Sequence, residues 1–114
     1  MPSSIELDAG QLARLRALDR DGRLLGRLAT AFEHLLEGQQ PRLAAARAEP
    51  PDRAALREAM HMLKSATREL GALHLAARCE RLEQQDEGLD LHAELASFDT
   101  ELAALRAALK RMTP

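Results

Sequence analysis

The stretch from residue 91 onward constrains the fold more than any other part of the chain. Leu91, Leu95, Phe98, Leu102, Leu105, Leu109 and Met112 follow one another by alternating steps of four and three. Only an α-helix gathers that spacing onto one face, so the segment is a helix with an unbroken apolar seam. Such a helix owes its stability to packing and must bury the seam against other helices. A coiled coil between chains and a helical bundle within one chain both achieve this.

The remaining segments favour the bundle. Within residues 53–70, Leu56, Met60, Leu63, the methyl of Thr67 and Leu70 step by four, three, four and three. Residues 72–86 turn Leu75, Cys79 and Leu82 inward. Residues 22–48 carry Leu24, Leu28, Phe32, Leu35 and Leu43, with Leu25 and Leu36 widening the stripe. A shorter helix inside residues 3–18 has Leu12, Leu15 and Leu18 on one side.

Punctuation separates these helices: "DRDG", "EPPD" and "DEGLD". Asp21, Asp52 and Asp90 are placed to cap the helices that follow. Gly71 suits a helix C′ position or a close crossing, and Gly88 suits the end of the helix before it. Pro41 predicts a kink or break near "GQQP". Short connections between amphipathic helices imply antiparallel neighbours. The expected fold is therefore all-α: an antiparallel up-down four-helix bundle with a short extra N-terminal helix, residues 1–114 forming one domain.

Composition narrows function by exclusion. The net charge is −2, which offers no basic excess for nucleic acid. Cys79 is the lone cysteine, so no internal disulfide forms and a reducing compartment is suitable. No apolar run is long enough to span a membrane, and "MPSSIELDAG" lacks the basic and apolar regions of a signal peptide. The expectation is a cytoplasmic, monomeric module without nucleic-acid or membrane partners. Met1 and the short length lean towards a free-standing protein rather than a piece of a larger kinase.

"MHMLKSATRELG", residues 60–71, holds the chemistry. At about 100° per residue, His61 points roughly 140° away from the centre of its helix's apolar stripe, so it faces outward. Arg57, Lys64 and Arg68 share its side of the helix, with Ser65 one turn on. A neutral imidazole is a nucleophile at physiological pH, and neighbouring cations oppose its protonation. Those cations also suit an incoming phosphoryl group, Lys64 as a mobile point charge. Ser65 is small enough to leave the ring accessible. Placement alone does not separate this from an ordinary exposed histidine on an arginine-rich helix.

The wider stretch "HMLKSATRELGALHLAARCERLE", residues 61–83, resembles the histidine-containing phosphotransfer (HPt) domain family. His61, Leu63 and Lys64 match its His-x-Leu-Lys core, and Gly71-Ala72, Leu75-Ala76, Cys79 and Leu82-Glu83 follow in register. Upstream, the "IELD" start, Phe32 and Pro41 before "RLAAARA" agree, so the likeness covers nearly the whole chain. The family usually has glycine after the lysine, where this chain has Ser65.

The resemblance implies a phosphocarrier rather than a self-contained enzyme. His61 would accept a phosphoryl group from an aspartyl phosphate of a response-regulator receiver domain and pass it to another receiver, with a sensor or hybrid histidine kinase upstream. Lys64 would balance phosphoryl charge, Arg57 and Arg68 would contribute to the same field or to docking, and Ser65 would govern access. The apolar flank of residues 24–40 would complete the docking face. No cofactor is expected, Mg²⁺ belonging to the receiver. The chain itself offers no glycine-rich phosphate loop and no metal-binding carboxylate cluster.

Other readings are weaker. His34, His74 and His92 have no ligand spacing, and His61 with Glu58 is too small a set to hold a metal. Cys79 belongs to the core. A helical interaction module of the same fold, and a kinase-linked phosphoacceptor domain of chemotaxis type, remain as alternatives.

Overall fold

The structure is a computed structural model that describes residues 5–113, so the first four residues of "MPSSIELDAG" and the first two of the helix expected within residues 3–18 lie outside it. Five α-helices occur among the described residues: α1 Ala9–Leu18, α2 Leu24–Ala46, α3 Arg53–Glu69, α4 Leu73–Gln84 and α5 Leu91–Met112. Helices α2 to α5 form the up-down bundle and α1 is the short extra helix. Cross-links fix the directions: Arg42 of α2 meets Glu58 of α3, Arg53 of α3 meets Gln85 just past α4, and Arg78 of α4 meets Glu94 and Glu101 of α5.

The apolar seams meet in one cluster. Phe32, Leu36 and Leu43 of α2 join Leu56, Met60 and Leu63 of α3, Leu75, Cys79 and Leu82 of α4, and Phe98, Leu105 and Leu109 of α5. Burial of this kind contributes about 1.5–3 kcal/mol per large side chain, which outweighs the helix propensity of any one segment.

Start signals act largely as expected. Asp52 Oδ1 accepts from the Ala55 amide at 3.0 Å, and Asp90 Oδ1 from the Ala93 amide at 3.1 Å. The first helix begins later than the N-terminal pattern suggested, at Ala9, with Asp8 accepting from the Gln11 amide. Asp21 does not cap α2 as expected: the N-cap position is Arg23, which makes no side-chain cap bond, and Asp21 accepts from the Arg23 amide while Asp19 accepts from the Leu24 amide.

Three expectations change. Of the kink or break expected near Pro41, the break does not occur, and α2 runs continuously from Leu24 to Ala46. Proline removes one exposed-side hydrogen bond, while Leu36 and Leu43, before and after it, are both anchored in the core. Gly88 does not end α4. The helix stops at Gln85, which takes the left-handed conformation at φ 52° and donates its side-chain amide to the Arg53 carbonyl at 2.8 Å. That tertiary bond offsets the cost of a left-handed non-glycine residue. Leu18 does not share the buried side of α1 with Leu15 and is strongly exposed.

Gly71 serves both roles open to it. At φ 83° it is the C′ residue of α3. Its amide donates to the Arg68 carbonyl and that of Ala72 to the Thr67 carbonyl, the paired bonds of a Schellman stop. Its own carbonyl accepts from the Asp8 amide at 2.8 Å, which straps the N-terminal segment over the α3–α4 turn.

Candidate functional site

The α3–α4 hairpin builds the site. Leu56, Ala59, Met60, Leu63 and Thr67 form the buried side of α3. His61 follows Met60 by one residue and is therefore swung out of the core, with 66% of its side chain exposed. The buried Thr67 hydroxyl is satisfied within the helix by the carbonyls of Leu63 and Lys64.

Across the hairpin, α4 presents Glu83. One carboxylate oxygen, Oε2, lies 3.0 Å from His61 Nδ1, and the other, Oε1, accepts from Lys64 Nζ at 2.8 Å. One acid thus bridges the histidine and the lysine. Lys64 and Glu83 are largely covered, at 19% and 21% exposure, while the imidazole stands out from them.

This row changes the electrostatic picture drawn from α3 alone. The cationic column becomes histidine, carboxylate and lysine in sequence. Arg57 and Arg68 are exposed and form no ion pair among the described residues. Glu58 is turned towards α2, where it pairs with Arg42 at 3.2 Å. Glu83 was in view as part of the "RLE" match but had no role, because its proximity to His61 depends on the return of α4.

The contact has chemical consequences. An ionised carboxylate can only accept, so the bond places the ring proton on Nδ1 and the free lone pair on Nε2. The unbonded nitrogen, Nε2, belongs to a side chain that is 66% exposed. A hydrogen bond from the Lys64 ammonium, with a smaller one from His61, holds the Glu83 carboxyl below its ordinary 4.5, against the opposing effect of partial burial. Glu83 is therefore an anion at neutral pH, able to stabilise positive charge on the ring.

Ser65 is exposed one turn after His61. Met62, beside the histidine, is one of three large apolar side chains left exposed among the described residues, with Leu18 and Leu73. The flank of residues 24–40 is less open than expected, since Leu25, Leu28 and Leu35 pack against the core. Cys79 is fully buried, and burial pushes its thiol up to about 12, which leaves no thiolate for chemistry. His34, His74 and His92 are exposed and scattered over three helices.

Among the described residues no helix is long and apolar enough to cross a membrane. Neither the curated proteins nor the solved structures contain a significant match to the chain. The family comparison does: the Hpt domain model matches residues 22–111, from the start of α2 nearly to the end of α5. With the bundle and the outward histidine, this establishes that the chain belongs to the Hpt domain family, the histidine phosphotransfer modules of two-component systems.

Proposed function

We propose that the protein is a phosphorelay intermediate in which His61 accepts a phosphoryl group from a receiver-domain aspartyl phosphate and hands it to a second receiver. The row His61–Glu83–Lys64 carries this reading, because it leaves Nε2 unprotonated on an exposed, electrostatically supported ring.

The transfer is a displacement at phosphorus. The Nε2 lone pair forms the N–P bond while the P–O bond to the receiver aspartate breaks, and the carboxylate leaves. The ring becomes cationic, with its proton still on Nδ1, and Glu83 lies hydrogen-bonded to that proton. Return transfer reverses each step. The Mg²⁺ that neutralises the phosphoryl oxygens would sit on the receiver.

The roles divide accordingly. His61 is the nucleophile. Glu83 is a positioning residue, fixing tautomer and orientation. Lys64 holds Glu83 in place and can reach towards the phosphoryl group as charge builds. Arg57 and Arg68 supply the outer field, and Ser65 sets the room beside the ring. The module acts as a cytoplasmic monomer whose partners are receivers and a sensor or hybrid kinase.

The test is phosphotransfer with a panel of phosphorylated receivers, and with kinase domains and ATP. Acid-labile, alkali-stable label on this chain, absent from His61→Gln, is the expected result. Label from a kinase domain alone would favour the chemotaxis-type alternative. A wild type that stays unlabelled throughout, or equal labelling of His61→Gln, overturns the proposal and leaves a helical interaction module.

A further inference from the structure

The buried side of α3 is complete without Met62. Leu56, Ala59, Met60, Leu63 and Thr67 fill it, while Met62 stands 47% exposed on the outer face. At about 100° per residue Met62 lies a little over a quarter turn round the helix from His61, and Ser65 falls between the two. His61 leans towards α4, where Glu83 holds it. Met62 lies on the α2 side, one turn after the Glu58 that meets Arg42. An apolar side chain so exposed contributes little to the core.

A partner that reaches His61 also covers Met62. Docked proteins typically bury about 800 Å² apiece, a disc of about 16 Å radius, and consecutive Cα atoms are about 3.8 Å apart. The thioether therefore passes from water into the interface each time a partner docks over the histidine.

Met62 also stands apart from the other sulfurs among the described residues. Met60 and Cys79 are wholly buried, and Met112 is half-buried at the end of α5. The Cys79 thiol, pushed up to about 12, supplies no thiolate to react with peroxide. An oxidant in solution thus meets the Met62 sulfur first.

We propose that Met62 is a reversible oxidation site, whose sulfoxide weakens partner docking over His61 and so slows phosphotransfer. The inference rests on the phosphorelay reading above. The oxidant is hydrogen peroxide. A sulfur lone pair attacks one peroxide oxygen, and the S–O bond forms as the O–O bond breaks. The departing hydroxide takes the proton of the transferred oxygen and leaves as water, so sulfur has lost two electrons to the peroxide. The sulfoxide is polar, and burying it carries a desolvation cost that the thioether does not. Methionine sulfoxide reductases return the thioether. His61, Glu83 and Lys64 take no part, so the effect falls on docking rather than on the chemical step.

The test uses the full chain, treated with dilute hydrogen peroxide and then freed of it. Peptide mass mapping should find the added oxygen at Met62 before Met60 or Met112, with the helical fold retained by circular dichroism. Transfer from a phosphorylated receiver at limiting concentration should fall about tenfold, the scale of one lost apolar contact, and recover at saturating receiver. Reductase treatment should restore it. Met62→Leu should lose the sensitivity to peroxide, and Met62→Gln should reproduce the oxidised behaviour without peroxide. Earlier oxidation of Met60 or Met112, undiminished transfer by the Met62 sulfoxide or by Met62→Gln, or equal peroxide sensitivity of Met62→Leu and wild type would overturn the proposal. Labelling of the untreated wild type checks the phosphorelay reading separately, and an untreated chain that no receiver labels overturns both.

Discussion

The Glu83 carboxylate grips the Nδ1 edge of His61 at 3.0 Å across 22 residues of sequence. A polar tie between two helices thus decides which imidazole nitrogen is free. Glu83→Gln preserves shape but removes the anion and the obligation that Nδ1 donate. We expect transfer to slow about tenfold or more, by the loss of one charge-assisted hydrogen bond. Ring ¹⁵N shifts should show a mixed tautomer. An unchanged rate with an unchanged tautomer would remove Glu83 from its positioning role.

The lysine half of the row has a pH dependence of definite sign. The folded Glu83 carboxyl titrates below 4.5, so the row is complete above that value and dissolves as pH falls through the lower folded value. An NMR titration should place its midpoint below 4.5 in the wild type and move it upward in Lys64→Ala. The pair is partly open to solvent, so the stability change should stay within about 1 kcal/mol. Transfer should nevertheless slow. Unchanged kinetics in Lys64→Ala would leave the lysine no part in the reaction.

Ser65→Gly separates access from stability. Removing an exposed mid-helix side chain should cost about 0.5–1 kcal/mol, measurable by urea denaturation. Phosphotransfer should be unchanged or faster. A clear slowdown in a folded protein would show that the hydroxyl assists the reaction.

Gly71→Ala tests the hairpin stop. A Cβ there would lie 3.1 Å from the Asp8 amide nitrogen, and φ 83° is strained for alanine. The expected loss is about 1–3 kcal/mol by denaturant unfolding. An equilibrium indistinguishable from wild type would mean that the N-terminal strap yields freely.

Much of this architecture was legible in residue spacing. The seams of α3 and α5, the caps Asp52 and Asp90, the outward turn of His61 and the stop at Gly71 all follow from periodicity and local hydrogen bonding. Pro41 and Gln85 did not, because tertiary anchoring outweighed local propensity at both. Leu18 was misplaced because a short helix with one buried contact has a weakly defined inner face. Glu83 was missed for a related reason. Reading one helix at a time gives each side chain a direction but not an opposite number. A signal was present: His61 stands ten residues before Gly71 and Glu83 twelve after it, and an antiparallel hairpin brings such positions together.

That arithmetic makes the α3–α4 turn part of the chemistry. The turn is closed by the Schellman bonds of Gly71 and Ala72, and the far end of the hairpin is tied by Gln85 reaching Arg53. One residue added to the turn would rotate everything after it by about 100° and carry the acid off the ring. Loop length here is therefore as tightly specified as the identity of the nucleophile, and variation in this module should collect in the other connections.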